Sequence, residues 1–168
     1  MTAVMLRCRC GSVQGSVDFS RPSRVRIVCH CGDCEAYARH IGDAQATQIV
    51  QATPDQVRIL AGSEHLRCLR LTPHGLTRWF TGCCMTPVAN TSRRAWVPFV
   101  GLMLAVIDTE DAALLGRAAH ANGTYPTPWK AVFRSAWALV MGVLLRRHRP
   151  NVFFEKNGKP IAHPVVIS

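Results

Sequence analysis

Cys29-His30-Cys31-Gly32-Asp33-Cys34 packs three thiols into six residues, and its reading decides what kind of chain this is. Closely spaced Cys-x-Cys and Cys-x-x-Cys bends offer a tetrahedral metal two ligands from one turn with little backbone strain. With no obvious fourth cysteine left over, the spacing describes a three-ligand zinc whose last position is open to water or substrate. Open coordination is the mark of a reactive metal, so Cys29, Cys31 and Cys34 are the candidate catalytic residues. Three thiolates on one dication leave negative charge at the metal, which suits exchange with another thiolate better than activation of water. His30 stands between two proposed ligands, where successive side chains of an extended turn point apart, and is expected to face the other side.

Working outward, two more cysteine groups stand on either side, Cys8-Arg9-Cys10-Gly11 and Cys83-Cys84, the latter following Arg78-Trp79-Phe80. One turn supplies only two ligands, so a closed structural site must recruit others from far along the chain, and Cys83-Cys84 is the remaining close pair. A site joining Cys8, Cys10 and Cys84, with or without Cys83, would staple the body of the protein. Adjacent cysteines make a strained disulfide, which argues against a Cys83-Cys84 redox couple. Cys68 lies in the alternating stretch Leu66-Arg-Cys-Leu-Arg-Leu71 and reads as a buried inert thiol. Arg78 reads as an arginine on a solvated strand face, with carboxylate binding through its fork as the alternative.

The stretches around these turns are mainly β, giving an α+β class. Val13, Gly15, Val17 and Phe19 alternate with polar residues, and Val25, Ile27 and Cys29 repeat the pattern. Further strands are expected over 48–51, 56–60, 66–71, 76–80 and 99–107, separated by Pro54, Gly62, Pro73 and Gly75. After the three-cysteine turn a short helix is expected over 35–41, with Asp33 as N-cap and Gly42 as stop. A long amphipathic helix is expected over 129–145, ahead of Arg146-Arg147-His148-Arg149-Pro150. Its uncharged run, 135–145, is short of the roughly 20 residues of a membrane span, so no transmembrane segment is expected. Its apolar side is expected to pack on the β body or on a second subunit. The organisation is one compact unit: a β domain over 1–116 and a helical extension over 117–168 packed on it.

The order Cys-x-Cys-Gly, then Cys-His-Cys-x-x-Cys, then an Arg-x-Phe segment leading into a cysteine and Thr86-Pro87 resembles the glutathione-dependent formaldehyde-activating enzyme family, which includes centromere protein V. The resemblance covers roughly residues 6 to 108. It implies a zinc-bound β-tent fold with a structural zinc on four cysteines and a second zinc on Cys29, Cys31 and Cys34. It also implies carbon-sulfur lyase chemistry on a glutathione adduct of formaldehyde. The chain departs from the family pattern Phe-Cys-x-x-Cys-Gly-Thr, because Phe80-Thr81-Gly82-Cys83-Cys84-Met85-Thr86 stands there. A neutral hydroxyl cannot match a thiolate for zinc, so either Cys83 moves in or the structural site has three ligands.

A formal net charge of +10 predicts a surface that attracts anions. Glutathione, as a small acidic thiol, fits such a surface. Nucleic acid, or another acidic partner, is the alternative for a non-catalytic zinc-folded module. Met1 to Gly11 holds Arg7, Arg9 and two cysteines where a signal peptide has an apolar run, so a reducing cytoplasm is expected, where clustered cysteines serve as metal or redox groups.

Overall fold

Period-two alternation builds two sheets in the computed structural model, which describes residues 3–20, 25–108, 115 and 117–167. In β1 (Ala3–Arg7) and β2 (Gln14–Asp18), Val4, Leu6, Gly15 and Val17 point inward and their neighbours toward solvent. These strands pair antiparallel, and β2 also pairs with β5 (Val57–Ala61), giving a three-stranded sheet in the order β1-β2-β5.

The larger sheet has eight strands. Its centre is antiparallel and made of β3 (Arg26–Cys29), β4 (Gln48–Ala52), β9 (Val100–Met103), β8 (Pro87–Thr91), β7 (Thr77–Thr81) and β6 (Leu66–Arg70) in that spatial order. Both outer strands come from the C-terminal part of the chain. Strand β10 (Ala119–Ala121) pairs parallel with β3, and β11 (Val165–Val166) pairs parallel with β6. Phe153 and Phe154, from the same C-terminal part, are buried in the main core with the fully buried Trp79; the Trp79 and Phe153 ring centroids lie 5.1 Å apart. Trp79 keeps its indole N–H satisfied by donating to Thr91 Oγ1 at 2.9 Å.

Several boundaries differ from the sequence expectations for physical reasons. Strand β8 is buried at every position and opens on Pro87, so it carries no alternation to read. Strand β9 stops at Met103, where a 3-10 turn over Leu104–Val106 bends the chain back so that Ile107 bridges to Leu6. The first helix, α1 (Gly32–Ile41), starts three residues early: Cys31 occupies the N-cap, and Asp33 lies in the first turn as an acidic partner for the helix dipole. Gly42 does end it, in the left-handed conformation, with its N–H donated to Ala38 and Arg39 carbonyls. Tyr37 anchors α1 on the sheet by donating its hydroxyl to the Trp79 carbonyl at 3.1 Å.

The second helix, α2 (Trp129–Leu144), turns its small residues toward the body. Ala138 and Gly142 are buried, Ala131 and Ser135 half-buried, and Gln51 donates to the Ser135 carbonyl at 3.4 Å. Gly142 permits this approach, since a Cβ there would stand 2.8 Å from the Pro98 ring. The bulky apolar residues of α2 face outward, so of the two packing partners expected for them, the β body and a second subunit, the β body is not the one they meet. Among the described residues, no helix is long and apolar enough to cross a membrane.

Candidate metal centres

Seven of the eight cysteines meet in two groups, each with all Sγ atoms within 4.8 Å of one another: Cys8, Cys10, Cys83 and Cys84 in one, Cys29, Cys31 and Cys34 in the other. Either group could hold a metal ion.

The four-thiol group forms where two turns face each other. After β1, the Gly11 N–H donates to the Cys8 carbonyl at 2.9 Å, and the Val13 N–H donates to Cys8 Sγ at 3.2 Å. After β7, the Met85 N–H donates to the Thr81 carbonyl at 2.8 Å, closing the turn that carries Cys83 and Cys84. Arg9 ties the turns together: its backbone N–H donates to Thr86 Oγ1, and its guanidinium donates to the Cys84 and Met85 carbonyls. Sγ separations are 3.5 Å for Cys8 and Cys10, 3.3 Å for Cys10 and Cys83, and 3.8 Å for Cys83 and Cys84. The choice left open by the sequence is thereby resolved at the level of geometry, since Cys83 joins the group. Thr81 lies beneath it as a support: its Oγ1 accepts the Thr86 N–H at 3.0 Å and contacts Cys84 Sγ at 3.3 Å. Burial pushes the Cys84 thiol up, but hydrogen bonds with Thr81, Thr86 and Cys10 together outweigh it and hold the pKa at about 5. Burial raises the pKa of Cys8 in the same group.

The three-thiol group sits where β3 ends and α1 begins. Cys31 caps the helix, and the Cys34 and Glu35 N–H groups both donate to its carbonyl, at 3.0 and 3.1 Å. The N-terminal end of α1 thus faces the thiols and favours their negative form. Cys29 Sγ lies 3.3 Å from Cys31 Sγ and accepts the Asn122 amide at 3.2 Å. Its pKa falls to about 5, chiefly through a hydrogen bond with Cys34, with Cys31 and Asn122 adding to the effect. The same bond with Cys29, together with burial, drives Cys34 upward, and the Arg78 cation only partly opposes this. One thiol held low beside one held high is the signature of anions that cannot all be carried without a cation.

Arg78 corrects the sequence reading. It is buried at 3% exposure, with Nη1 3.9 Å from Cys34 Sγ and its guanidinium over the Tyr37 ring at 5.1 Å, so it serves the thiols and not a solvated face. His30 is absent from the thiol group, as expected, and turns instead to a loop the sequence reading passed over. Its Nε2 is 3.0 Å from His120 Nδ1, and its ring stacks on Tyr125 at 4.5 Å. Gly123, at φ +64°, lets this loop press on the Cys-His-Cys turn, because a Cβ there would meet His30 Cβ at 3.1 Å. The Asn122-Gly123 dipeptide was the available signal for a tight turn, but nothing in its sequence pointed to Cys29. Cys68 stands apart from both groups, 3% exposed, donating to the Ala162 carbonyl at 3.2 Å, with burial pushing its pKa up to about 11.

The family model described as a family of unknown function, DUF6151, matches residues 1–164. A crystal structure of a Rhodobacter sphaeroides protein is similar at a TM-score of 0.49 and 21% identity, over 70% of this chain and 99% of that one. No curated protein matches the chain.

Proposed function

We propose that this chain, which belongs to the DUF6151 family of unknown function, is a two-zinc protein of the glutathione-dependent formaldehyde-activating type, with the β-tent fold of that type. In this reading it acts as a carbon-sulfur lyase on a thiol-carbonyl adduct. The observation that carries the reading is the convergence of Cys29, Cys31 and Cys34 within 4.8 Å, with no fourth His, Cys, Asp or Glu in the group among the described residues. Zinc-thiolate bonds of about 2.3 Å in a tetrahedron put sulfurs about 3.8 Å apart. The Sγ separations of 3.3 to 3.8 Å in the four-thiol group, and of 3.3 Å between Cys29 and Cys31, are close enough to that spacing for a small closing or opening of the turns to seat zinc in both.

Cys8, Cys10, Cys83 and Cys84 would hold a closed structural zinc, and Cys29, Cys31 and Cys34 an open one. An ion held by Cys29, Cys31 and Cys34 would supply an electrophilic position for the substrate's sulfur. The rest of the chemistry falls to side chains. Arg78 and the Asn122 amide offset the negative charge of the three thiolates. In the lyase direction the carbon-sulfur bond breaks, sulfur keeps the electron pair as a thiolate, and the adduct's hydroxyl proton leaves as the carbonyl forms. The His30–His120 pair, on the thiol turn and its covering loop, offers the ring nitrogen that takes this proton. The basic surface attracts an acidic thiol such as glutathione.

The test is exchange of formaldehyde with S-hydroxymethylglutathione, followed by NMR, with zinc content measured on the same samples. The native protein should carry two zinc ions and accelerate the exchange; Cys34→Ser should lose one ion and the acceleration together. Native protein with no effect on the exchange would remove the lyase reading. A second reading, a non-catalytic zinc-stabilised module for nucleic acid, is favoured by a cleft of about 830 Å³ that includes Arg93, Arg94, Trp96, His148, Arg149 and Lys156 in its lining. Its mark is salt-sensitive binding that survives Cys34→Ser.

A further inference from the structure

Helix α2 wears its amphipathicity inside out. Trp129, Phe133, Trp137, Val140 and Leu144 follow one another at steps of four, four, three and four, which returns them to one side of a helix. Trp129, Phe133, Trp137 and Leu144 are 64%, 71%, 67% and 69% exposed, while the face toward the body is built from Ala131, Ser135, Ala138 and Gly142. A bulky side chain at the buried positions would have been the ordinary way to stabilise the fold. Gly142 instead sits against Pro98, with no room there even for a Cβ.

Charge surrounds this stripe. At the start of α2, a cleft of about 430 Å³ includes Arg26, Arg117, Trp129, Lys130 and Arg134 in its lining. Beyond its end come Arg146, Arg147 and Arg149. No Asp or Glu occurs between residues 112 and 154. A second copy of the chain is a poor match for this surface. Antiparallel pairing of two such helices would set Lys130 and Arg134 against Arg146, Arg147 and Arg149, and parallel pairing would set like on like. Nucleic acid answers the charge but leaves the apolar stripe in water. A surface that is anionic outside and apolar just beneath answers both.

We propose that α2 is a membrane-docking helix that lies in the plane of an anionic phospholipid surface, its Trp129, Phe133, Trp137, Val140 and Leu144 stripe at the acyl boundary and its flanking cations on the headgroup phosphates. At 16 residues the helix is about 24 Å long, too short to span the bilayer but of a size to lie along it. Tryptophan suits the boundary because its ring is apolar and its N–H finds headgroup or water acceptors. No thiol enters this argument, so it stands or falls independently of the zinc chemistry.

The test is co-sedimentation of the full chain with phosphatidylcholine vesicles, with and without phosphatidylglycerol, together with tryptophan emission. The native protein should pellet only with the anionic vesicles, more weakly as salt rises, and its emission should shift to the blue. Phe133→Ser with Trp137→Ser leaves the charge intact and alters only exposed positions, so far-ultraviolet circular dichroism should not change. It should lower the partition coefficient by about tenfold or more. Val140→Ser with Leu144→Ser should do the same if the first pair proves unstable. Arg117→Gln with Lys130→Gln should weaken binding and flatten its salt dependence. Absence of native binding to anionic vesicles would overturn the proposal. So would binding by both serine pairs as strong as that of the native protein, which is the outcome of a purely ionic contact such as one with nucleic acid. A native dimer in sedimentation equilibrium that the serine pairs convert to monomer, without vesicle binding, would assign the stripe to a second copy instead.

Discussion

Thr81 and Asn122 show how single polar groups set the charge of the two thiol groups. Thr81 is fully buried, its Oγ1 accepting the Thr86 N–H and contacting Cys84 Sγ. Thr81→Val keeps the shape but leaves the buried Thr86 N–H without that acceptor, and should destabilise the fold by about 1–3 kcal/mol in denaturant unfolding. Zinc content should stay unchanged, because Thr81 supports Cys84 without being a ligand. Asn122 acts on Cys29 across 93 residues of sequence. Metal binding requires thiolates, so protons compete with the ion and affinity falls as pH is lowered. The Asn122 hydrogen bond is among those that hold Cys29 near 5, below the ordinary value of 9.0, and its removal moves Cys29 upward. Asn122→Ala should therefore move half-release of the three-thiol metal to higher pH and weaken its affinity at neutral pH by about tenfold or more, in chelator competition. A pH of half-release equal to that of the native protein would show that the amide does nothing for the thiolate.

At the scale of elements, α2 reverses a usual rule of helix design. Glycine inside a helix is about 1 kcal/mol worse than alanine, so Gly→Ala normally stabilises. At Gly142 the added Cβ would stand 2.8 and 2.9 Å from two atoms of the Pro98 ring, which cannot swing aside as a flexible chain end would. Gly142→Ala should lower the unfolding midpoint; a rise would mean that α2 is not held against Pro98. The helix itself was readable from its apolar pattern, with Lys130 and Arg134 four apart, and from the arginines that follow it, and the observed Trp129–Leu144 lies one residue from the expectation. Its orientation was not readable. Hydrophobic periodicity finds an apolar face and assumes that this face is buried, whereas here Ala131, Ser135, Ala138 and Gly142 make the close contact and the larger residues stay in solvent. Strands β10 and β11 were hidden for a different reason: with three and two residues, they are too short to show a period, and only pairing with distant β3 and β6 makes them strands.

On the scale of the whole molecule, the cysteine turns were legible because each brings its thiols from a few adjacent residues, while the closing of two turns on each other is a property of the fold. The spacing therefore pointed to Cys29, Cys31 and Cys34 as one site, yet left Cys83 undecided until β1 and β7 set their turns face to face. The two groups must then differ in what they do for stability. The four-thiol group joins the three-stranded sheet to the eight-stranded one, linking Cys10 to Cys83 across 73 residues. The three-thiol group closes only the segment 29–34. Treated as cross-links on an unfolded chain, a loop of that long span is worth about 4 kcal/mol and one of a few residues about 2 kcal/mol. If both groups hold zinc as proposed, Cys84→Ser should therefore lower the melting temperature from that of the native protein well beyond Cys34→Ser, by several degrees at roughly 2–4 °C per kcal/mol for a chain of this size. Thermal unfolding followed by circular dichroism, with zinc released to a chromogenic chelator on the same ramp, separates the two sites. If Cys34→Ser melts as low as Cys84→Ser, the three-thiol zinc is a second staple and the case for its open, reactive position collapses. If Cys34→Ser has lost one zinc and only the few degrees that so short a loop is worth, the fold depends mainly on the four-thiol ion and leaves the other set apart, as a site kept for chemistry requires.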